Sequence, residues 1–204
     1  LAQKLLNGGY SFDYISDAQL QQTRVEQGEL VTPGNRYRVL LVPATRRMSV
    51  ATIRQIARLA QGGAKVILEA LPEDVPGYGR LAERRAEFQK VRATLTSLVQ
   101  ADVPAALAKT GVSREPLSES GVGFIRRTFE DGHVYFLANL TGQAFEGWVT
   151  LGRPAAAGLQ LEPLRGGSGV ATLRQRAGAS EVFLQLAPGE SLLLKTSAKG
   201  RVAA

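Results

Sequence analysis

The feature that most constrains this chain is a change of hydrophobic period near residue 115. Before it, helical spacing alternates with short apolar runs; after it, two-residue alternation broken by turns continues almost to the end. The two periods need different partners for their apolar faces, so two architectures are expected in one polypeptide. With 204 residues, 44% of them hydrophobic, the chain has enough apolar side chains for two small cores.

In the first half, Leu1, Leu5 and Leu6 mark a helix tail that Asn7-Gly8-Gly9 stops. Tyr10 to Ile15 is rich in β-formers, and Ser16-Asp17 offers an N-cap to a short helical turn. Val39 to Val42 is an unbroken apolar run of the kind a parallel strand buried on both faces needs. Ser49 caps the next helix, whose Ile53, Ile56, Ala57 and Ala60 share one face. Gly62-Gly63 ends that helix, and Ala64 to Leu68 reads as a second buried strand, completing a β-α-β unit. Beyond the turn-rich loop Pro72 to Gly79, one face of a long helix is marked by Leu81, Phe88, Val91, Leu95 and Leu98. Asp102, with Pro104 in the first turn, starts a short last helix.

The second half predicts seven short strands, at Val122–Phe129, His133–Leu140, Phe145–Leu151, Leu159–Leu164, Val170–Gln175, Glu181–Leu186 and Ser191–Lys195, which imply an antiparallel β-sandwich. Asp131-Gly132 between the first two is a hairpin signal, read as a type I′ turn. The domain boundaries follow: an α/β domain over 1–112 and a sandwich over 117–197.

Composition excludes several chemistries. The chain has no cysteine, which removes disulfides, zinc–thiolate sites and thiol nucleophiles, and its one histidine, His133, has no second imidazole to share a metal. No apolar run approaches the roughly 18 residues that cross a bilayer, so no membrane partner is expected. The net charge of +7 rests on arginines scattered as pairs, at 46–47, 84–85 and 126–127. Without a basic stripe or a recognition motif, no nucleic acid is expected as partner. Gly166-Gly167-Ser168-Gly169 opens no helix and reads as a loop, not a phosphate cradle.

In open α/β sheets, ligands bind beyond the carboxyl ends of strands, which makes Asp17, Thr45 and Glu69 the candidate crevice. Glu69 follows Val66-Ile67-Leu68 where an amidotransferase would carry its nucleophilic cysteine, so that chemistry is excluded by residue type. Asp13 and Asp17 read as caps rather than a glycosidase pair. Tyr135 and Trp148 are candidate glycan contacts, set against the commoner role of strand aromatics as core. No catalytic, cofactor-binding or metal-binding residue is assigned.

Four segments carry a resemblance: GYSFDYISDAQL (Gly9 to Leu20), YRVLLVPATRRMS (Tyr37 to Ser49), GGAKVILEALPEDVPG (Gly62 to Gly77) and FIRRTFEDGHVYFLAN (Phe124 to Asn139). Their order is similar to that found downstream of the catalytic barrel in large bacterial α-L-rhamnosidases of glycoside hydrolase family 106. The first three also resemble the amidotransferase-like domain of family 42 β-galactosidases. The resemblance implies a flavodoxin-like (class I glutamine amidotransferase-like), three-layer α/β domain lacking its first strand, followed by the sandwich. It also implies a non-catalytic C-terminal accessory region, because the family's acid and base glutamates and calcium belong to the upstream barrel. The expected partners are that upstream catalytic domain of the same chain, with a homo-oligomer covering the open sheet edge and carbohydrate as further possibilities. A periplasmic or secreted location is implied as well. The alternatives are a stand-alone carbohydrate-binding or oligomerisation module, or a family 42-like fragment.

Overall fold

The computed structural model describes residues 1–129 and 131–200. They form two compact units, one of Asp13–Val112 and one of Leu1–Phe12 with the residues from Ser113 onward. The opening helix α1 (Ala2–Asn7) therefore belongs with the β-rich unit, not with the α/β layer to which its periodicity assigned it.

The Asp13–Val112 unit begins with α2 (Asp17–Gln21), where Ser16 accepts from the Gln19 N–H and the Gln19 side chain returns the bond, a complete capping box. Next come β1 (Arg24–Glu26), β2 (Glu29–Val31) and β3 (Arg36–Tyr37), an antiparallel meander absent from the sequence reading. Its first turn holds Gln27 at φ 53° and Gly28 at φ 81°, the type I′ geometry that closes a two-residue hairpin. Glutamine is a weak signal for that turn, and the strands are only two or three residues long. Tyr10 to Ile15, read as β-rich, forms no strand: propensity alone supplies no ladder partner.

The β-α-β unit is present: β4 (Val39–Val42) pairs in parallel with β5 (Lys65–Leu68) through the crossover helix α3 (Val50–Gln61). Ser49 caps α3, and Ile53, Ile56 and Leu59 go into the core. Each such side chain contributes about 1.5–3 kcal/mol on leaving water. Then follow α4 (Leu81–Thr94), a 3₁₀ turn (Thr96–Leu98) and α5 (Val103–Ala108). The flavodoxin-like, amidotransferase-like layer is not formed. Among the described residues the parallel sheet consists of β4 and β5, the unit's other strands are antiparallel, and strands make up 36% of the chain against 26% helix. The reason is strand supply: 39–42 and 65–68 are the apolar runs able to serve as central strands, too few for a doubly wound sheet.

The arginines of α4 organise the loop before it. Arg84 donates to the Pro76, Gly77 and Gly79 carbonyls at 2.6, 2.8 and 2.7 Å, and Arg92 to that of Pro72 at 2.8 Å. Arg85 forks onto Asp74, and that guanidinium, with the Val75 N–H, holds the Asp74 carboxyl down to about 2. Arg84 and Arg92 are thus fasteners for loop carbonyls, and Arg85 anchors the same loop through the Asp74 carboxylate.

In the other unit a 3₁₀ turn (Pro116–Ser120) leads into β6 (Val122–Phe129), β7 (Gly132–Asn139), β8 (Phe145–Leu151), β9 (Ala157–Glu162), β10 (Gly167–Val170), β11 (Leu173–Arg176), β12 (Ala179–Leu186) and β13 (Ser191–Ser197). They build a five-stranded antiparallel sheet, β10-β9-β13-β7-β6, and a three-stranded one, β11-β12-β8. Tyr135, Leu137, Leu192 and Leu194 from the first pack with Val149, Leu151, Val182 and Leu184 from the second in one core, which is the sandwich arrangement. The stretch read as one strand over 170–175 is two, β10 and β11, one in each sheet.

The first hairpin differs from expectation by register. Gly132 pairs with Phe129 as the first residue of β7, so it is a strand residue and the turn precedes it; Glu130 lies outside the described residues. What demands glycine at 132 is close approach: a Cβ there would sit 1.9 Å from the Thr196 carbonyl oxygen of β13. Gly132→Ala is therefore expected to lower the stability of the β unit by about 1–3 kcal/mol. Gly142→Ala, where a Cβ would meet nothing within 4 Å, should leave it within about 0.5 kcal/mol. Denaturant titration of both variants checks the contrast, and equal midpoints would refute the close-approach explanation.

Candidate functional site

Two of the three crevice residues share a loop neighbourhood, and each is already engaged. Glu69 follows β5 directly, and its carboxylate accepts the Ala44 N–H at 3.0 Å, closing the loop after β4. Thr45 lies in that loop and donates to the Arg47 carbonyl at 3.2 Å. Asp17, in the first turn of α2, instead accepts from the Thr52 hydroxyl of α3 at 3.0 Å, and Thr52 also bonds the N-cap Ser49 at 2.7 Å. It thereby ties two helix N-termini together, where a carboxylate is favoured by the exposed N–H groups. Asp13 accepts from the Tyr37 hydroxyl at 2.8 Å. All four groups brace the scaffold.

Two open hollows lie elsewhere. One of about 400 Å³ is bordered by Gln27, Glu29, Arg38, Lys65 and Thr110, but Lys65 donates to the Thr110 carbonyl at 2.7 Å and Arg38 faces Glu29. The other, about 250 Å³, lies between the β9–β10 and β12–β13 turns, where Arg165 and Glu190 pair at 2.9 Å.

The two candidate glycan contacts sit on different sheets. Tyr135 is completely buried in the sandwich core and offers no surface to a sugar, a correction that follows from its register: it lies between Arg126 and Leu194 on the inward side. Trp148 is half-buried on the outward face of the three-stranded sheet. Phe183 meets it edge-on at 5.4 Å, and the Arg174 guanidinium lies 4.0 Å over its ring, itself paired to Glu181 at 2.5 Å. One ring face is thus covered by a protein cation, which leaves Trp148 a poorer platform than its exposure on a strand suggested. Among the described residues no group of three or more His, Asp or Glu side chains is placed to hold a metal.

The sequence reading missed a completely buried acid, Glu115. It lies just before the 3₁₀ turn. Its carboxylate accepts from the Arg126 guanidinium of β6, the Gly152 N–H after β8, and the Tyr135 hydroxyl of β7 at 3.4 Å. Its backbone N–H donates to the Gly9 carbonyl at 2.8 Å, and its carbonyl accepts from the Ser118 hydroxyl at 3.0 Å. Gly9, at φ 78°, cannot be larger, because a Cβ would lie 2.3 Å from the Glu115 carbonyl oxygen. Burial pushes the Glu115 carboxyl up, against the pull of the Gly152 N–H and Arg126. Burial and the charge of Glu115 push the Tyr135 hydroxyl up as well, while burial and the nearby Arg126 and Arg153 push His133 down. A buried carboxylate with a raised pKa can mark a catalytic acid, but every bond here ends on the scaffold and no surface reaches water, so Glu115 is a structural hub. Only a Glu-Pro pair at the period change hinted at it.

Because the folded Glu115 holds its proton more tightly than the unfolded chain does, its contribution to stability is fully present below the unfolded value and is lost as pH rises through the folded one. Comparing thermal unfolding at pH 5 and pH 7 with Glu115→Gln isolates this contribution: the substitution should flatten the loss of stability on going to pH 7. Arg126→Met, which leaves the buried carboxylate unpaired, should cost about 3–5 kcal/mol at pH 7 and less at pH 5. Identical pH slopes in wild type and Glu115→Gln would refute this.

Residues 2–147, more than half of the chain, match the family model described as alpha-L-rhamnosidase, glycoside hydrolase family 106. Among solved structures, the fold is similar to that of a rhamnosidase from Novosphingobium sp. PP1Y, with a TM-score of 0.78 and 22% identity, covering 96% of this chain and 21% of that one. A curated protein named "Putative beta-glucuronidase", from Formosa agariphila, is 26% identical over 148 residues, 68% of this chain and 12% of that protein. The chain thus spans a small part of the length of both. On the extent of the family match, the chain belongs to glycoside hydrolase family 106, the α-L-rhamnosidase family.

Proposed function

We propose that this chain acts as a non-catalytic accessory region of a larger bacterial glycoside hydrolase of the α-L-rhamnosidase type, lying C-terminal to the catalytic domain and supporting it. The observation that carries this reading is the pairing of a near-complete fold match, 96% of this chain, with a small share, 21%, of a rhamnosidase chain. The state of the carboxylates supports it too. Glycoside hydrolysis uses two carboxyl groups about 5 Å apart, or roughly 6.5–9.5 Å apart, facing one sugar-sized cleft. Here Asp17, Glu69 and Glu115 are each bonded to the scaffold on different elements, and the last is sealed from water. The catalytic domain of the same polypeptide is the partner in this reading, in a periplasmic or secreted enzyme.

The 204-residue chain is expected to release no 4-nitrophenol from 4-nitrophenyl α-L-rhamnoside above the buffer blank, while the polypeptide that includes the catalytic domain hydrolyses it. Turnover by the 204-residue chain that Glu69→Gln abolishes would overturn the accessory reading and make Glu69 a catalyst.

A further inference from the structure

The sandwich carries a cluster of basic groups that its own acids answer only in part. Across β6 and β7, Arg126 is paired with Tyr135 and Thr128 with His133. Tyr135 is buried in the core, and alternate residues of a strand share a face. Arg126, Thr128 and His133 therefore lie on the same inward side as Tyr135, toward the hairpin end of the two strands. Arg153 follows Gly152, whose N–H donates to Glu115, and its charge acts on His133 together with that of Arg126. Thr128 is exposed and His133 and Arg153 are half-buried, so the cluster reaches the surface. Its charges do not balance. Arg126 is matched by the Glu115 carboxylate, but the Nε of Arg153 is shut off from water and has no hydrogen-bond partner among the described residues. A guanidinium N–H in that state is unfavourable until an acceptor reaches it.

We propose that Arg153, with His133 and Thr128 beside it, forms a binding site for the carboxylate of a ligand. Two features select a carboxylate. The open atom is Nε, and the Nε–Nη edge of a guanidinium presents two parallel donors that match the two oxygens of a planar carboxylate. A single positive charge also remains to be compensated. Arg126 is taken by Glu115, and His133, pushed down by burial and then by Arg126 and Arg153, is neutral at pH 7. A phosphate dianion would bring a second negative charge that no cation of the cluster is left to meet. The Thr128 hydroxyl, 3.3 Å from His133 Nδ1, and the neutral imidazole supply further hydrogen-bonding groups.

His133 is the chain's one histidine, so its ring signals in proton NMR report on the site directly. In the folded 204-residue chain, sodium acetate should shift them saturably and raise the titration midpoint of His133, because a bound anion favours the imidazolium. Sodium chloride at the same ionic strength should do neither. Arg153→Gln should weaken acetate binding about tenfold or more while leaving the circular dichroism unchanged. D-glucuronate and the α-amide of N-acetyl-L-aspartate, each compared with acetate, tell a sugar acid from a protein side chain as the source of the carboxylate; tighter binding of either supports the site. Equal effects of acetate and chloride on the wild-type chain would overturn the proposal, whether or not the variant folds. Saturation by inorganic phosphate but not by acetate, or acetate binding unaltered in Arg153→Gln, would overturn it as well.

Discussion

The β unit depends on one buried carboxylate. Glu115 joins four segments distant in sequence: the N-terminal Gly9 through its amide, β6 through Arg126, β7 through Tyr135, and the connection after β8 through the Gly152 N–H. A charge in this setting is costly unless each lone pair is matched, and the matching fixes where those segments lie. It explains why α1, whose own periodicity says only that it is a helix, is held to the unit that begins about a hundred residues later.

The same logic organises the Asp13–Val112 unit on a smaller scale. Arg84, Arg85 and Arg92 satisfy the loop before α4, Glu69 closes the loop after β4, and Asp17 joins two helix starts through Thr52. Polar residues at the ends of strands and helices here bond backbone groups or other side chains of the scaffold, which leaves the positions expected to hold a ligand already engaged by the chain itself. A strand-end carboxylate in an α/β layer is therefore not a site until its own hydrogen bonds are known.

Membership of a glycosidase family and the state of these side chains bear on different questions. The family match concerns descent and the fold match concerns architecture, and both leave chemistry to be argued from particular groups. In this chain those groups are braces: a buried Glu115, a buried Tyr135, and a Trp148 with Arg174 across its face.

By itself the sequence determined the features that depend on neighbours a few residues apart. The caps at Ser16, Ser49 and Asp102, the runs at 39–42 and 65–68, the face of α3 and, apart from the 170–175 stretch, the alternating strands after Val122 are present, because capping and amphipathic periodicity are local. Only the tertiary structure decided the rest. The 24–37 meander rests on strands too short to show a period, and the parallel sheet stops at two strands where a flavodoxin-like layer was expected. Gly132 owes its identity to a carbonyl of Thr196 across the sheet, not to the turn beside it, and Tyr135 lies inward by register. Which strand lies beside which, and which buried charge finds its partner, are settled by contacts between residues far apart in sequence, where a local pattern carries no information.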